Sequence, residues 1–182
     1  HTTGRSAAFY MVGYGNDVVR GITLSSEAFY NNPPHGFCDH ELLKPLGAMY
    51  IAKPHQLSQL HDVYQRVNSV LDNVALVDGA FVYDKVPELK KDIMAGFWEP
   101  NSREIDVAAL LEGYIKFAKR NSVGFSFNAR VNALSKQGNE WQVSTEAGLF
   151  KGRKLVNAAG AWADKMGGMA GASLIGLEPK KR

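Results

Sequence analysis

Two segments far apart in the sequence carry residues suited to holding an anionic or planar ligand. The first is small and polar, and its hydroxyl, guanidinium and backbone N–H groups can donate to an anion; it comprises Thr2, Thr3, Gly4, Arg5, Ser6, Ala7 and Ala8. The second is a β-branched run that stops at small residues, Ala159 and Gly160, followed by Trp162. Small residues let backbone approach a ligand closely, so this run predicts a strand that ends beside a bound group.

In this order, the two segments resemble the flavin-dependent amine and amino-acid oxidoreductases related to D-amino-acid oxidase, glycine oxidase and sarcosine oxidase. The likeness is greatest to bacterial D-amino-acid dehydrogenases of the D-arginine type. It implies FAD as cofactor and transfer of a hydride from the amine to the flavin, after which the imine hydrolyses in water. It also implies that residues 2–8 wrap the flavin and the pyrophosphate. The backbone of Val131 would hold the adenine edge, and the end of the second segment would pass close to the cofactor.

Members of this family begin with a βαβ unit that carries a Gly-rich dinucleotide fingerprint, and this chain contains none. Gly13-Tyr14-Gly15 is not such a fingerprint, because Val18 stands where a third small residue is needed and we expect no strand before it. The chain is therefore interpreted as an internal fragment of a larger enzyme. Without the βαβ unit, we expect the chain alone not to retain FAD.

Two residues match family positions near the substrate. Tyr14 matches a position that often faces the substrate, although a tyrosine there could equally cover its own loop. Ala48 falls where an enzyme for a basic substrate would need a carboxylate, since a buried unpaired cation is costly. Phe9 and Met11 stand where D-arginine-type relatives have polar residues. These departures predict that neutral or apolar D-amino acids are preferred over D-arginine.

Three other interpretations remain open or are less favoured. His35, Cys38 and His40 have ligand chemistry for zinc, but a second separated pair is missing and we expect no metal site. The chain could be a non-catalytic module that packs against a partner and does not bind FAD by itself. It could also belong to another flavoprotein of the same fold, such as an enzyme like glycerol-3-phosphate dehydrogenase.

Composition restricts the partners and the compartment. The 182 residues carry a formal net charge of only +3, and no concentrated basic face indicates a nucleic-acid partner. The single cysteine fits a reducing compartment. No apolar run approaches the roughly 20 residues that span a bilayer. We therefore expect a cytoplasmic enzyme with a small-molecule substrate, and association with the inner membrane stays open.

The periodicity predicts a mixed α+β and α/β fold. Helices are predicted over 17–30, after Pro54, near 80–85 and over 106–120, where Asp106 can cap the helix. Strands are predicted over 47–53, 75–77, 93–98, 125–127, 131–135, 140–145 and 149–156. With the resemblance, residues 1–39 are an FAD-contacting segment with its following helix, residues 40–100 are part of a substrate-binding domain, and residues 101–182 are part of a Rossmann-like FAD domain with a β-meander.

The run from Leu149 to Val156 is apolar enough to lie in a parallel sheet that is covered on both faces. Without its first βαβ unit, such a strand would have an unpaired edge. Unpaired edges tend to pair with another chain, so a homodimer formed through this edge is a further expectation.

Overall fold

A computed structural model of the chain describes residues 8–178 and divides it into two compact units, which meet in sequence between Val123 and Gly124. The described residues form helices and three antiparallel sheets. The mixed fold class predicted from the sequence is thereby confirmed.

The first unit contains a small antiparallel sheet in the order β1-β6-β2, formed by Phe9–Tyr10, Arg103–Ile105 and Leu43–Pro45. Helix α1 (Asp17–Asn31) packs on it through Leu24 and Tyr30, which contact a buried cluster of Tyr10, Val12 and Leu43. Helix α4 (Val107–Arg120) adjoins α1, because the Tyr114 ring stacks on Phe29 at a centroid distance of 5.7 Å.

A second antiparallel sheet in the same unit has the order β3-β5-β4, formed by Ala48–Ala52, Ala95–Glu99 and Ala75–Asp78. A 3-10 turn at Pro54–Gln56 leads into helix α2 (Leu57–Asn68). Its side chains join the sheet in one core, whose fully packed members are Ala52, Leu60, Val67, Val74 and Phe97. Helix α3 (Gly79–Lys85) follows β4 directly and is capped by the Asp78 carboxylate.

The second unit is a β-meander followed by a short helix. Strands β7 (Val131–Gln137), β8 (Glu140–Thr145) and β9 (Gly148–Gly152) pair antiparallel in sequence order. A 3-10 turn at Gly160–Trp162 then leads into α5 (Ala163–Met169). Within residues 8–178, no helix is long and apolar enough to cross a membrane.

The predicted helices are confirmed, with ends within a few residues of those expected. Asp106 caps α4 as predicted, since its carboxylate accepts the N–H of Ala109 at 2.9 Å. Two helices expose apolar residues that lie at helical spacing. In α1, Val18 and Ile22 are exposed and the buried residue is Arg20. In α4, Leu111, Tyr114 and Phe117 are substantially exposed.

Three predictions about strands are wrong. Residues 125–127 form no strand. The strand predicted over 149–156 ends at Gly152 and pairs antiparallel with β8, because no described segment offers residues 153–156 a parallel neighbour. A strand does precede Gly13, namely β1. The sequence did not predict β1, β2 or β6, because strands of two or three residues are too short to show alternation.

The core of the second sheet predicts a clear difference between two identical substitutions. Val67 in α2 has no exposed surface, whereas 70% of Val18 in α1 is exposed. Val67→Ala should lower the free energy of unfolding by about 2 kcal/mol, through lost burial and the cavity left behind. Val18→Ala is the control and should change it by less than about 0.5 kcal/mol. Denaturant unfolding measures both, and equal effects would contradict this description of the core.

Candidate functional site

The second unit contains a cavity of about 810 Å³. It is lined by the start of β7, by β8, by the turn after residue 155 and by α5; its walls include Val131, Trp141, Val143, Ala159, Trp162 and Met166. Three residues predicted to bind the cofactor, Val131, Ala159 and Trp162, therefore share one cavity. Gly160, which is also predicted to bind the cofactor, begins the 3-10 turn that ends at Trp162, and its φ of 56° lies in the left-handed region that favours glycine.

The first residue of β7, Val131, lies at an irregular end of the β7–β8 pairing. The N–H of Glu146 donates to the carbonyl of Arg130 at 3.1 Å, and Val131 lies opposite Thr145. The register shifts between Val131 and Ala133, so an extra residue interrupts the ladder there. No strand among the described residues pairs with the outer edge of β7. Backbone groups at such an edge can pair with a ring edge that carries both an acceptor and a donor, as adenine does.

Two cationic side chains and two indole rings line this cavity. Arg130 and Lys165 line it, and within residues 8–178 neither has an acidic side chain at ion-pair distance. Trp141 and Trp162 also line it, and 58% of Trp162 is exposed. Apolar walls with aromatic rings and nearby cations fit a ligand that combines a flat ring with phosphate charge. Sequence reasoning did not single out Arg130 or Lys165.

Asn157 holds the turn that carries the predicted cofactor-binding residues. Its carboxamide oxygen accepts the N–H of Ala159 at 3.2 Å, and its amide nitrogen donates to the carbonyl of Ala163 at 2.8 Å. Both ends of one side chain thus fix residues 159–163, which lack the hydrogen bonds of a strand. The sequence contained a signal, since asparagine commonly bonds the backbone two residues ahead.

Asp164 performs a similar role for the segment after α5. Its carboxylate accepts the consecutive N–H groups of Ile175, Gly176 and Leu177 at 3.1, 2.7 and 2.8 Å. These donors, that of Ile175 foremost, hold the pKa of the Asp164 carboxyl below its ordinary value. The chain thereby folds back over α5, where Leu174 approaches within 3.7 Å of the position that a Cβ on Gly168 would take.

In the first unit, the two predicted substrate residues lie on either side of one buried carboxylate. Ala48 is the direct cross-strand partner of Glu99, which is only 2% exposed. Glu99 accepts the N–H groups of Val12 at 2.9 Å and Gly13 at 3.0 Å, and Tyr14 follows immediately. The Tyr14 side chain itself is 66% exposed. Sequence reasoning missed Glu99, although a charge at the end of an apolar strand was visible.

The remaining predicted residues have simpler surroundings. Of the segment predicted to bind an anion, residues 2–7 lie outside the described residues, and the Ala8 carbonyl accepts the Ile105 N–H at 2.8 Å. Phe9 is half exposed. The His40 ring pairs with Asp106 at 3.1 Å, and the Cys38 thiol donates to the His40 carbonyl at 3.1 Å. Within residues 8–178, no three His, Cys, Asp or Glu side chains are grouped so as to hold a metal ion.

Comparison with known proteins identifies the family. Residues 1–182 match the family described as DAO, FAD dependent oxidoreductase. The chain belongs to this family. FAD is accordingly its cofactor, and the predictions of a flavoprotein oxidoreductase and of FAD are confirmed at this level. The particular likeness to D-arginine dehydrogenases is a finer statement that the comparisons leave open.

Two curated relatives are similar over part of the chain. Rat mitochondrial dimethylglycine dehydrogenase is 27% identical over 120 residues, which is 65% of this chain and 14% of that protein. The hydrogen cyanide synthase subunit HcnC of Pseudomonas protegens is 30% identical over 112 residues, or 60% of this chain and 27% of that protein. The chain therefore matches only a minor part of the length of each relative.

Solved structures share the fold at lower identity. Glycine oxidase from Geobacillus kaustophilus superimposes with a TM-score of 0.78 at 17% identity, over 94% of this chain and 48% of that one. L-proline dehydrogenase from P. horikoshii gives 0.77 at 18% identity, over 93% and 46%. L-α-glycerophosphate oxidase from Mycoplasma pneumoniae, solved with FAD bound, gives 0.75 at 20%, over 90% and 45%. These chains show what fold the residues adopt.

The Asn157 contacts predict a loss of cofactor affinity on a conservative change. Asn157→Asp keeps the acceptor for the Ala159 N–H but replaces the donor to the Ala163 carbonyl by a repelling oxygen. One net hydrogen bond is worth about 1 kcal/mol, so the Kd for FAD should rise about fivefold. Asn139→Asp, at the exposed β7–β8 turn, is the control. Equal FAD affinities of the two variants in fluorescence titrations of the full-length protein would contradict the role given to Asn157.

The Asp164 contacts predict how the Tm changes with pH. The pKa of this carboxyl is lowered in the folded protein, so its stabilisation is present above the ordinary aspartate value and is lost as pH falls through the folded value. Asp164→Asn should therefore lower the Tm at neutral pH and reduce the fall in Tm on acidification. Glu146→Gln, an exposed carboxylate of the same unit, should keep the wild-type profile. An Asp164→Asn profile parallel to wild type would refute the assignment.

Proposed function

We propose that the protein oxidises a D-amino acid or a related amine, with FAD as the acceptor of the hydride. The observation that supports this most is the cavity of the second unit, where Val131, Ala159 and Trp162 come together as expected for a flavoprotein of this family. The family membership supplies the reaction class. The relatives named for glycine, proline and dimethylglycine support an amino acid or amine as the substrate class.

Within this proposal, the following groups of the chain are assigned to the cofactor. The Val131 backbone offers a donor and an acceptor to the adenine edge, and Ala159, Gly160 and Trp162 lie against the cofactor. Arg130 and Lys165 supply positive charge for its diphosphate. Residues Thr2 to Ala8 are assigned to the flavin and the pyrophosphate. When bound, the flavin supplies the hydride acceptor, so the protein needs no covalent nucleophile.

The residues of the first unit that are assigned to the substrate favour substrates with a neutral side chain. Ala48 offers no charge to a substrate, and the carboxylate opposite it has one N–H donor on each oxygen. A guanidinium placed there would have to give up its water beside a buried carboxylate, at a desolvation cost that a methyl group does not carry. Neutral or apolar D-amino acids are therefore proposed as better substrates than D-arginine, with Tyr14 facing the substrate from its loop.

Two further features belong to the proposal. The free thiol of Cys38 fits a cytoplasmic location, with or without association to the inner membrane. The outer edge of β9 has no partner strand among the described residues, and Leu149 on it is 57% exposed. A second copy of the chain could pair there to form a homodimer, in place of the longer strand edge expected from the sequence.

A substrate panel tests the proposed reaction. Reduction of the bound flavin should be followed anaerobically with D-alanine, D-methionine, D-arginine, glycine, L-proline and glycerol 3-phosphate. Neutral D-amino acids should give the highest kcat/KM, because no group at Ala48 compensates a buried cation. Reduction by glycerol 3-phosphate and by no amino acid would favour the other flavoprotein class. A preference for D-arginine would contradict the proposed specificity.

Replacing Ala48 tests the same site from the protein side. Ala48→Glu should shift the ratio of kcat/KM towards D-arginine, by about 1–3 kcal/mol if a charge-assisted bond forms. The new carboxylate would directly oppose Glu99 across the strand pair, and like charges so placed are destabilising. The variant should thus have a lower Tm that D-arginine restores more than D-alanine does. Ala48→Gln, which adds similar volume without charge, is the matched control.

A further inference from the structure

Glu99 is a buried charged residue to which the proposed reaction assigns no role. It ends β5, is 2% exposed, and accepts one backbone N–H on each carboxylate oxygen, from Val12 on Oε1 and from Gly13 on Oε2. These donors lie more than 80 residues earlier in the chain, so the carboxylate joins distant segments. Burying an ionised carboxylate is costly unless it is hydrogen-bonded, so these two bonds are a condition of its burial.

The contact requires a carboxylate on one side and a glycine on the other. Two adjacent N–H donors need two acceptors, and a glutamine amide would turn its own donors towards one of them. A Cβ on Gly13 would lie 2.5 Å from Oε2 of Glu99 and 3.1 Å from the Tyr50 hydroxyl. That hydroxyl is buried without a hydrogen-bond partner among the described residues. Its burial, reinforced by the negative charge of Glu99, raises the pKa of Tyr50.

The segment attached to Glu99 is the loop that carries Tyr14. On its other side, the Arg20 guanidinium donates to the Gly15 carbonyl at 2.8 Å and pairs with Asp17. Asn16 then begins α1 by accepting the Val19 N–H at 3.0 Å. The backbone on both sides of Tyr14 is thus fixed by side chains, whereas the Tyr14 ring itself stays largely exposed. The loop is held in place while its one large side chain is free to contact a ligand.

We propose that Glu99 is a positioning residue for the substrate: its carboxylate fixes the Val12–Gly13 backbone and thereby sets the place of Tyr14 beside the Ala48 end of the sheet. This inference rests on the proposed function in its assignment of Tyr14 and Ala48 to the substrate. The attachment of the loop itself is independent of any substrate.

The test compares Glu99→Gln with Glu104→Gln in the FAD-loaded full-length protein, where Glu104 is an exposed carboxylate on β6. Hydrogen exchange at the Val12 and Gly13 amides reads the attachment directly. Flavin reduction by D-alanine gives KM and kcat, and titration gives the Kd for FAD. Glu99→Gln should speed exchange at both amides and raise KM about tenfold or more, because displacements of an ångström have such effects. The Kd for FAD should stay within about twofold, and Glu104→Gln should match wild type.

Gly13→Ala provides a second route that leaves the carboxylate intact. Its Cβ would push the loop away from Glu99, so it should give the same rise in KM, and combining it with Glu99→Gln should add little. This variant carries the test if Glu99→Gln does not fold. Unchanged exchange at Val12 and Gly13 would overturn the attachment. An unchanged KM, or a loss of FAD binding equal to the loss of activity, would overturn the positioning role. A wild-type protein that no amino acid reduces would instead refute the proposed function, and the exchange result would still stand.

Discussion

Burying the carboxylate of Glu99 is costly unless it is hydrogen-bonded, and two backbone N–H groups of the first unit supply those hydrogen bonds. The two N–H groups that it accepts come from the segment after β1, so the two sheets of the unit are joined by a polar contact as well as by apolar packing. The same requirement explains why residue 13 is a glycine, since a side chain there would occupy the place of the carboxylate. This contact therefore also fixes the position of the loop that carries Tyr14.

The second unit holds its irregular segments by the same physical means. Backbone groups outside helices and strands still need partners, and polar side chains provide them. The Asn157 side chain hydrogen-bonds two backbone groups of the turn beside the cavity. The Asp164 carboxylate accepts three consecutive N–H groups after α5. In both units, some of the residues expected to meet ligands, such as Tyr14 and Ala159, lie outside helices and strands, and polar side chains hydrogen-bond the backbone beside them.

The sequence predicted the helices well, because their apolar period and the Asp106 cap are local signals. It also predicted the strands of the meander, whose period of two and intervening turn residues are likewise local signals. It failed where structure depends on distant partners. The strands β1, β2 and β6 exist through pairing with each other and are too short to show a pattern, and residues 153–156 form no strand because none of the described segments lies beside them. The burial of Arg20 in place of Val18 also depends on tertiary neighbours.

The candidate site was predictable to a similar degree. Val131, Ala159 and Trp162 were predicted to bind the cofactor through resemblance to a family, and all three line one cavity. Glu99, Asn157 and Asp164 were missed because their roles lie in hydrogen bonds to backbone, which no spacing in the sequence reveals. Arg130 and Lys165 were missed because single cations are common on surfaces and only the fold brings these two to a shared wall.

We propose that the cavity of the second unit forms part of an FAD site. A crystal structure of the FAD-loaded full-length protein tests this most directly. Cofactor density is expected against Val131, Ala159 and Trp162, with the adenine edge bonded to the Val131 backbone. Density for FAD elsewhere, with this cavity filled by a protein segment, would contradict it.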